Sequence, residues 1–389
     1  MTKTPKNSPG QAPAERRSSG LFNASGLARQ LRVSPLLAIG PATPGPALRR
    51  GALIAVPIGL ALIVELGLGA PTKGAVATGA LLAGFPGLDA PAGPRSAWQA
   101  ATAPLIGTAA ALGVLSSQTA PTAVLAMGLL GAAAGYCFSV SLRLAIAGLS
   151  VSLAMVVAQG FFLTPSDAWP ALAYVTAGGL LQAAWSFLVW LLADRAREDE
   201  ASGWSSRAAV AALRSHFTLA SSSARHAIRF GAALAAGVAL YRILGMRDHG
   251  FWIPLTILFV MRPERDETYH RLVLRALGTV LGLVVATAVA EAFGGSDLVV
   301  IVVLTVSAAL SFGLLTVQYA LFTAAITTYV VLLTDTLGEQ AFHAAGQRAA
   351  GTALGILIAF LAFVLWPNPG EGDGRLAERP AGSPEAAAR

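Results

Sequence analysis

Runs of roughly 20 apolar residues follow one another from residue 51 to residue 366, separated by short polar or Gly- and Pro-containing turns. A helix of that length matches the hydrocarbon core of a bilayer, about 30 Å thick. A chain with many such runs can satisfy its backbone in lipid only by folding them as helices or as a closed barrel, and runs this long read as helices. The spans fall at about 51–69, 72–88, 97–115, 120–137, 141–163 and 168–193, and then at 226–244, 249–262, 271–293, 297–313, 315–334 and 343–366. The expected fold is all-α: a polytopic transmembrane helical protein of about 12 spans in two six-helix halves. Composition supports this, because the chain is 55% hydrophobic and only 12% charged, where an ordinary soluble domain carries about 25% charge.

Two of these helices open in the same way. Arg275, Gly278, Thr279 and Gly282 stand at i, i+3, i+4 and i+7, and so do Arg348, Gly351, Thr352 and Gly355. That spacing puts each set on one helix face. Small residues let membrane helices approach closely, and a charge marks a face that cannot look at lipid. Gly131 and Gly135, Gly278 and Gly282, and Gly351 and Gly355 are GxxxG pairs, expected at helix contacts.

The net charge of +7 is unevenly placed. With twelve spans and both termini in the cytoplasm, 23 of the 27 Lys and Arg residues fall on the inner side, leaving Lys73, Arg242, Arg247 and Arg348. The positive-inside rule therefore favours a multi-pass cell (inner) membrane protein over a nucleic-acid binder. If residues 72–88 and 249–262 failed to cross, each half would have five spans and the central linker would carry its charge outside. Residues 1–46 read as a disordered basic cytoplasmic tail, 47–193 as the N-terminal transmembrane half and 194–225 as a cytoplasmic linker. Arg207 to Phe217 in that linker could form an interfacial helix or a solvated connector. Residues 226–366 read as the C-terminal half and 367–389 as a second disordered tail. Lone Cys137 in an apolar run points to packing rather than to a disulfide or metal.

The halves suggest a faint parallel repeat. Gly107-Thr108 corresponds to Gly278-Thr279, and Gly178 to Gly351, while Pro104 and Val175 stand where the second half has Arg275 and Arg348. Even span counts per half would make such repeats parallel.

Enzyme motifs are absent: there is no GxxxxGK[ST] loop, HExxH, CxxC or GxSxG, and Gly67-Leu-Gly69 leads into no dinucleotide fingerprint. No cofactor or metal is expected, and the chain does not read as an enzyme. A multispan protein with charges inside its spans reads as a secondary transporter or a channel. Arg275 and Arg348 could line an anion path with Thr279, Thr352, Trp252 and Thr256, since a planar guanidinium binds a carboxylate bidentately. They could equally snorkel to the headgroups. Trp252 could belong to an interfacial belt, and Thr256 could bond its own helix backbone. Gln318, Tyr319, Thr323, Thr327 and Tyr329 carry the same alternatives. Glu65, the most interior carboxylate, is the candidate proton-coupling site, or else an interface group paired with Lys73. Asp335 and Glu291 close their spans. His249, His270 and His343 read as surface groups.

The stretch 249–286 resembles the fusaric acid resistance-like (FUSC-like) family, within the group of aromatic acid exporters and integral membrane-bound transporters. The matching residues are Phe251, Trp252, Pro254 to Thr256, Pro263, Thr268, Arg271 and the Arg-x-x-Gly-Thr-x-x-Gly run from Arg275 to Gly282. The lead-in Ser223 to Gly237 and the closing Arg348 to Gly355 share the likeness. It covers about 225–366, and the first half only by layout. The resemblance implies proton-coupled efflux of organic or aromatic carboxylic acids. It also implies, as an alternative, an anion channel of the related malate-transporter type; if the arginines are snorkelling anchors only, the chain reads as a non-transporting structural protein. The implied partners are the lipid bilayer, a small organic anion and, from exposed small-residue faces, a second copy in a homo-oligomer.

Overall fold

A computed structural model describes residues 44–194 and 222–366, apart from 71, 73, 139, 162, 163, 247–249, 264, 294 and 337–340. The expected tails, most of the linker with its interfacial helix, Lys73, His249 and the His343 side chain lie outside the described residues. The described chain forms twelve α-helices. In the first half they are α1 (Pro44–Leu62), α2 (Ala75–Gly84), α3 (Ala92–Ser116), α4 (Ala120–Cys137), α5 (Leu142–Gly160) and α6 (Ala168–Val189). In the second they are α7 (Ser222–Ile243), α8 (Trp252–Val260), α9 (Arg265–Phe293), α10 (Asp297–Leu314), α11 (Tyr319–Thr336) and α12 (Ala341–Leu365).

Nine helices among the described residues are long and apolar enough to cross a membrane. The exceptions are α2, α7 and α8. Helix α7 has 22 residues but opens with Arg225, His226 and Arg229. Helices α2 and α8 have ten and nine residues, a rise of about 15 and 14 Å, or roughly half the hydrocarbon core. Each nevertheless belongs to a segment that connects the two ends of the bundle. At one end of α2 the Val76 N–H meets Glu65, near the end of α1. At the other, Arg50, near the start of α1, donates to the Leu88 carbonyl at 3.1 Å. Likewise Phe251 stacks on Phe161 at 5.8 Å near one end of α8, while beyond the other Arg229 donates to the Pro263 carbonyl at 3.5 Å. The ends differ in charge. The end bearing the starts of α1, α3, α5, α7 and α9 carries Arg49, Arg50, Arg95, Arg143, Arg225, Arg229, Arg262 and Arg271. We call it the basic end, and the other the far end.

Glycines set the closest helix contacts. A Cβ on Gly178 of α6 would collide with the Val76 carbonyl of α2, and one on Gly79 of α2 with the Val175 carbonyl of α6. In the second half, Gly351 and Gly355 of α12 press on Trp252, Ile253 and Thr256 of α8. The α2–α6 and α8–α12 contacts thus occupy matching places. The correspondence is incomplete: Gly107 of α3 faces Leu172 and Thr176 of α6, whereas its sequence counterpart Gly278 of α9 faces Ala320 and Thr323 of α11. The halves also exchange helices. Gly131 and Gly135 of α4 pack on Leu234, Phe230 and Ala227 of α7, and Gly51 of α1 packs on Ala309 and Gly313 of α10. Both hydrophobic cores draw on both halves: Ile106 and Met127 join Phe230 and Trp252 in one, and Ile54 and Phe85 join Leu304 and Phe322 in the other.

Candidate functional site

Helices α2, α5, α6, α8 and α11 surround a cavity of about 510 Å³, within the usual range for a small-molecule site. It reaches the far end at Thr72, Asp167 and the exposed Pro170. Its walls are mainly apolar and aromatic, among them Phe85, Leu153, Tyr174, Val175, Phe251 and Leu255. Arg275 from α9 and Arg348 from α12 also face it.

Both guanidinium groups are inside the protein, at 0% and 1% exposure. Neither reaches the surface, so neither is a snorkelling anchor. Each lies against an aromatic ring of α8: Arg348 is 3.8 Å from the centre of the Trp252 ring, and Arg275 is 4.7 Å from that of Phe259. Such stacking is favourable for a desolvated cation and leaves the N–H edge free. Arg348 donates one bond, 3.2 Å, to the Thr327 hydroxyl, and its Nε and Nη1 have no partner. The Tyr319 hydroxyl lies beside Arg275 but donates its own proton to the Phe259 carbonyl at 3.0 Å. Arg275 has no hydrogen bond of good geometry at any of its three nitrogens. No carboxylate among the described residues pairs with either arginine. Two buried cations without a counter-ion are costly, and an anion in the cavity would relieve that cost.

The other expected anion-path residues are placed differently. Trp252 is fully buried behind Arg348 rather than in an interfacial belt. The Thr256 hydroxyl donates to its own helix at the Trp252 carbonyl, 2.9 Å away, and Thr256 packs against Gly355. Thr279 and Thr352 are buried with hydroxyls that have no partner, and neither lines the cavity. Tyr329 lines it with its hydroxyl also unpartnered.

Glu65 sits in a π-helical turn, Ile63–Gly67, that extends α1. Its two oxygens accept the Val76 and Ala77 N–H groups at 2.8 and 3.0 Å. These are first-turn donors that α2 cannot satisfy itself. The residue preceding α2 is Gly74, left-handed at φ 77° and without a capping side chain, so α1 supplies the cap. Its negative charge also suits the positive end of the α2 dipole. Glu291 and His270 are exposed.

Sequence reasoning missed the contributions of α2, α5 and α6 to the cavity, and Phe259. It also missed His226, which is 2% exposed and packed edge-on to Phe138 at 5.5 Å and beside Phe230 at 5.7 Å. The buried Gln99 and Gln182 on α3 and α6 were missed too.

Comparison with known proteins bears on the second half. Residues 232–362 match the family model for fusaric acid resistance protein-like proteins. The chain is 40% identical over 157 residues to the inner membrane protein YccS of Escherichia coli, an alignment covering 40% of this chain and 22% of that protein. It is 34% identical over 160 residues to an uncharacterized protein of Haemophilus influenzae, covering 41% and 22%. It is 31% identical over 158 residues to the uncharacterized protein ORF2 of Neisseria gonorrhoeae, covering 40% and 37%. The chain thus spans between about a fifth and two fifths of the length of these relatives. No solved structure matches it significantly. The region that matches contains α8, Arg275, Arg348 and the helices that hold them, so the part of this integral membrane protein that carries both arginines is the part similar to fusaric acid resistance protein-like proteins.

Proposed function

We propose that the chain is a secondary transporter of organic anions, with aromatic carboxylates as the substrate class and the proton gradient as the driving force. The observation that carries this reading is the pair of buried arginines, unpaired with any carboxylate among the described residues, facing a mainly apolar cavity. Charge-assisted bonds from Arg275 and Arg348 would hold the carboxylate, and the aromatic and aliphatic walls would take the apolar body. Such a cavity suits a ligand with one charged head better than a small polar dicarboxylate, whose second charge would face Leu, Val and Phe.

We read all twelve helices as spans, with both termini and the basic end in the cytoplasm. The distribution of 23 of 27 Lys and Arg supports this topology, as do the segments containing α2 and α8, which connect the two ends. Helices that are short and Pro- or Gly-interrupted at matching places in two halves mark the binding region of many transporters. Here α8 contains Pro254, α2 follows left-handed Gly74, and both form cavity wall.

Proton coupling is assigned to Glu65. Protonating it would withdraw an acceptor from the start of α2 and loosen one wall of the cavity. The coupled step is then a change in how firmly α2 is held. An anion channel is the second reading. It would need an open passage from the cavity to the basic end, where Phe85, Phe259 and Arg275 form the cavity floor; that closed floor favours a carrier.

Proteoliposome flux of a radiolabelled aromatic acid panel, with and without an imposed pH gradient, tests the proposal. Accumulation against a gradient only when ΔpH is present is the expected result. Downhill flux alone would establish the channel. Absence of flux and of binding for every acid, from folded protein, would overturn both.

A further inference from the structure

The cavity stops short of the basic end, and the residues that stop it form a layer of rings. Phe85 of α2 and Phe259 of α8 are in the cavity floor. Behind them lies Phe322 of α11, 6.3 Å from Phe85 and 5.9 Å from Phe259 between ring centres. One turn further toward the basic end is Tyr319, 5.7 Å from Phe322.

Tyr319 makes three connections at once. Its hydroxyl donates to the Phe259 carbonyl at 3.0 Å, tying the start of α11 to the last turn of α8. Its ring lies under the Arg271 guanidinium, 4.6 Å away. Its hydroxyl is also beside Arg275. Arg271 and Arg275 are i and i+4 on α9, so they face the same way. Arg271 donates from Nε to Glu267 at 2.8 Å, but its Nη1 is buried without a partner. Cations thus stand on both sides of the aromatic layer: Arg271 toward the basic end, Arg275 and Arg348 toward the cavity. A permanent wall has no use for a charge on each face. A closure that an anion must pass does, because the charge on each side holds the anion while the rings part.

We propose that Tyr319 is the latch of a gate between the cavity and the basic end, and that an organic anion passes it by transfer between Arg271 and Arg275. The hydroxyl-to-carbonyl bond holds α8 and α11 together when the gate is closed. Opening breaks that bond, lets the Phe259 and Phe322 rings separate, and exposes the N–H edge of Arg275 to the basic end. The idea rests on the transporter reading for what passes, but the position of the gate can be read without any substrate.

The test uses the full chain in sealed membranes of both orientations, with Cys137→Ser removing the native thiol and Ile326→Cys placing one in the cavity wall. The probe is a membrane-impermeant, sulfonate-bearing thiol reagent. With Tyr319 intact, the Ile326→Cys thiol is labelled from the far end and protected from the basic end. Tyr319→Phe keeps the ring and loses only the bond, about 1 kcal/mol net, so labelling from the basic end rises about fivefold. Tyr319→Ala raises it further. Labelling from the far end stays the same throughout and reports folded protein. Equal labelling from both ends with Tyr319 intact overturns the gate. So does basic-end protection that survives both substitutions. Failure of the transport assay alongside a positive labelling result would reject the substrate class and leave the gate standing.

Discussion

The helix pair α3–α6 and its counterpart α9–α12 show how one arrangement can yield a solid interface in one half and a site in the other. Helices α3 and α6 run against each other over most of their length, whereas α9 and α12 touch over a short stretch. In the first pair some of the glycines face the partner helix, Gly107 toward Leu172 and Thr176 and Gly179 toward Ala103, while Gly178 faces α2 and Gly113 faces α5. In the second they face away, Gly278 and Gly282 toward α11, Gly351 and Gly355 toward α8. Small residues choose which neighbour may come close. Where they choose other neighbours, the facing sides are left for Arg275 and Arg348. Position 175, the counterpart of Arg348, holds valine and still lines the cavity, while Pro104, the counterpart of Arg275, is exposed on the outer face of α3.

The sharpest way to break this comparison is to give the second pair the neutrality of the first. Arg348→Gln or Arg275→Gln is expected to lower anion flux by about 30- to 5,000-fold, the range for losing a buried charge contact. Thermal stability should hold or rise, because an uncompensated buried charge has gone. Flux in proteoliposomes together with a detergent melting curve would show it; unchanged flux would make the arginines structural.

Adding charge to the first pair is expected to depend on where it lands. Pro104→Arg puts a guanidinium toward lipid and should cost about 2.5–3.5 kcal/mol, seen as lost membrane insertion or expression. Val175→Arg puts it in the cavity, where water and anions can reach it, and should be tolerated better. The reverse order would mean that α3 does not face the bilayer.

Filling the glycine contacts should discriminate between the halves more gently. A Cβ at Gly178 meets backbone, the Val76 carbonyl and the Ala80 nitrogen, whereas one at Gly351 meets the Trp252 Cβ first, at 2.6 Å, and backbone atoms no nearer than 3.5 Å. Gly178→Ala should lose about 1–3 kcal/mol and Gly351→Ala less, read from melting temperatures. Equal losses would show that Trp252 is as immobile as backbone.

The smallest effect concerns the α2 cap. Glu65→Ala leaves the Val76 and Ala77 N–H groups unmet and should cost about 0.5–2 kcal/mol, with Glu65→Gln between it and the parent. Hydrogen exchange at Val76 and Ala77 should rise in the same order. If flux loses its dependence on ΔpH in Glu65→Gln while the cap persists, the carboxylate couples transport by charge rather than by holding α2.

All twelve helices were legible in the sequence, because apolar length and Gly/Pro breaks are local signals. So were Arg275 and Arg348, since a charge inside an apolar run advertises itself. The walls of the cavity were not. On a helix apolar all round, the face toward protein and the face toward lipid carry the same residue types, so periodicity does not separate them. Leu153 lines the cavity and Leu125 is exposed, yet nothing nearby in the sequence distinguishes them. The Glu65 cap was hidden for another reason: it depends on a π turn that rotates the carboxylate toward α2, a change of one residue in winding. Phe259 and Tyr319 acquire their roles only where α8 and α11, some 60 residues apart, come together.

The exchange of helices between halves has a consequence for biosynthesis. Gly51 of α1 is shaped to receive Ala309 and Gly313 of α10, which are made about 260 residues later. At synthesis rates of about 5–20 residues per second, α1 waits some 13 to 50 s in the bilayer before its partner emerges. During that interval its notch at Gly51 is open to any helix that fits, including α10 of another copy whose synthesis is further along. A contact that joins the two halves of the finished bundle is therefore also exposed to being made with the wrong molecule.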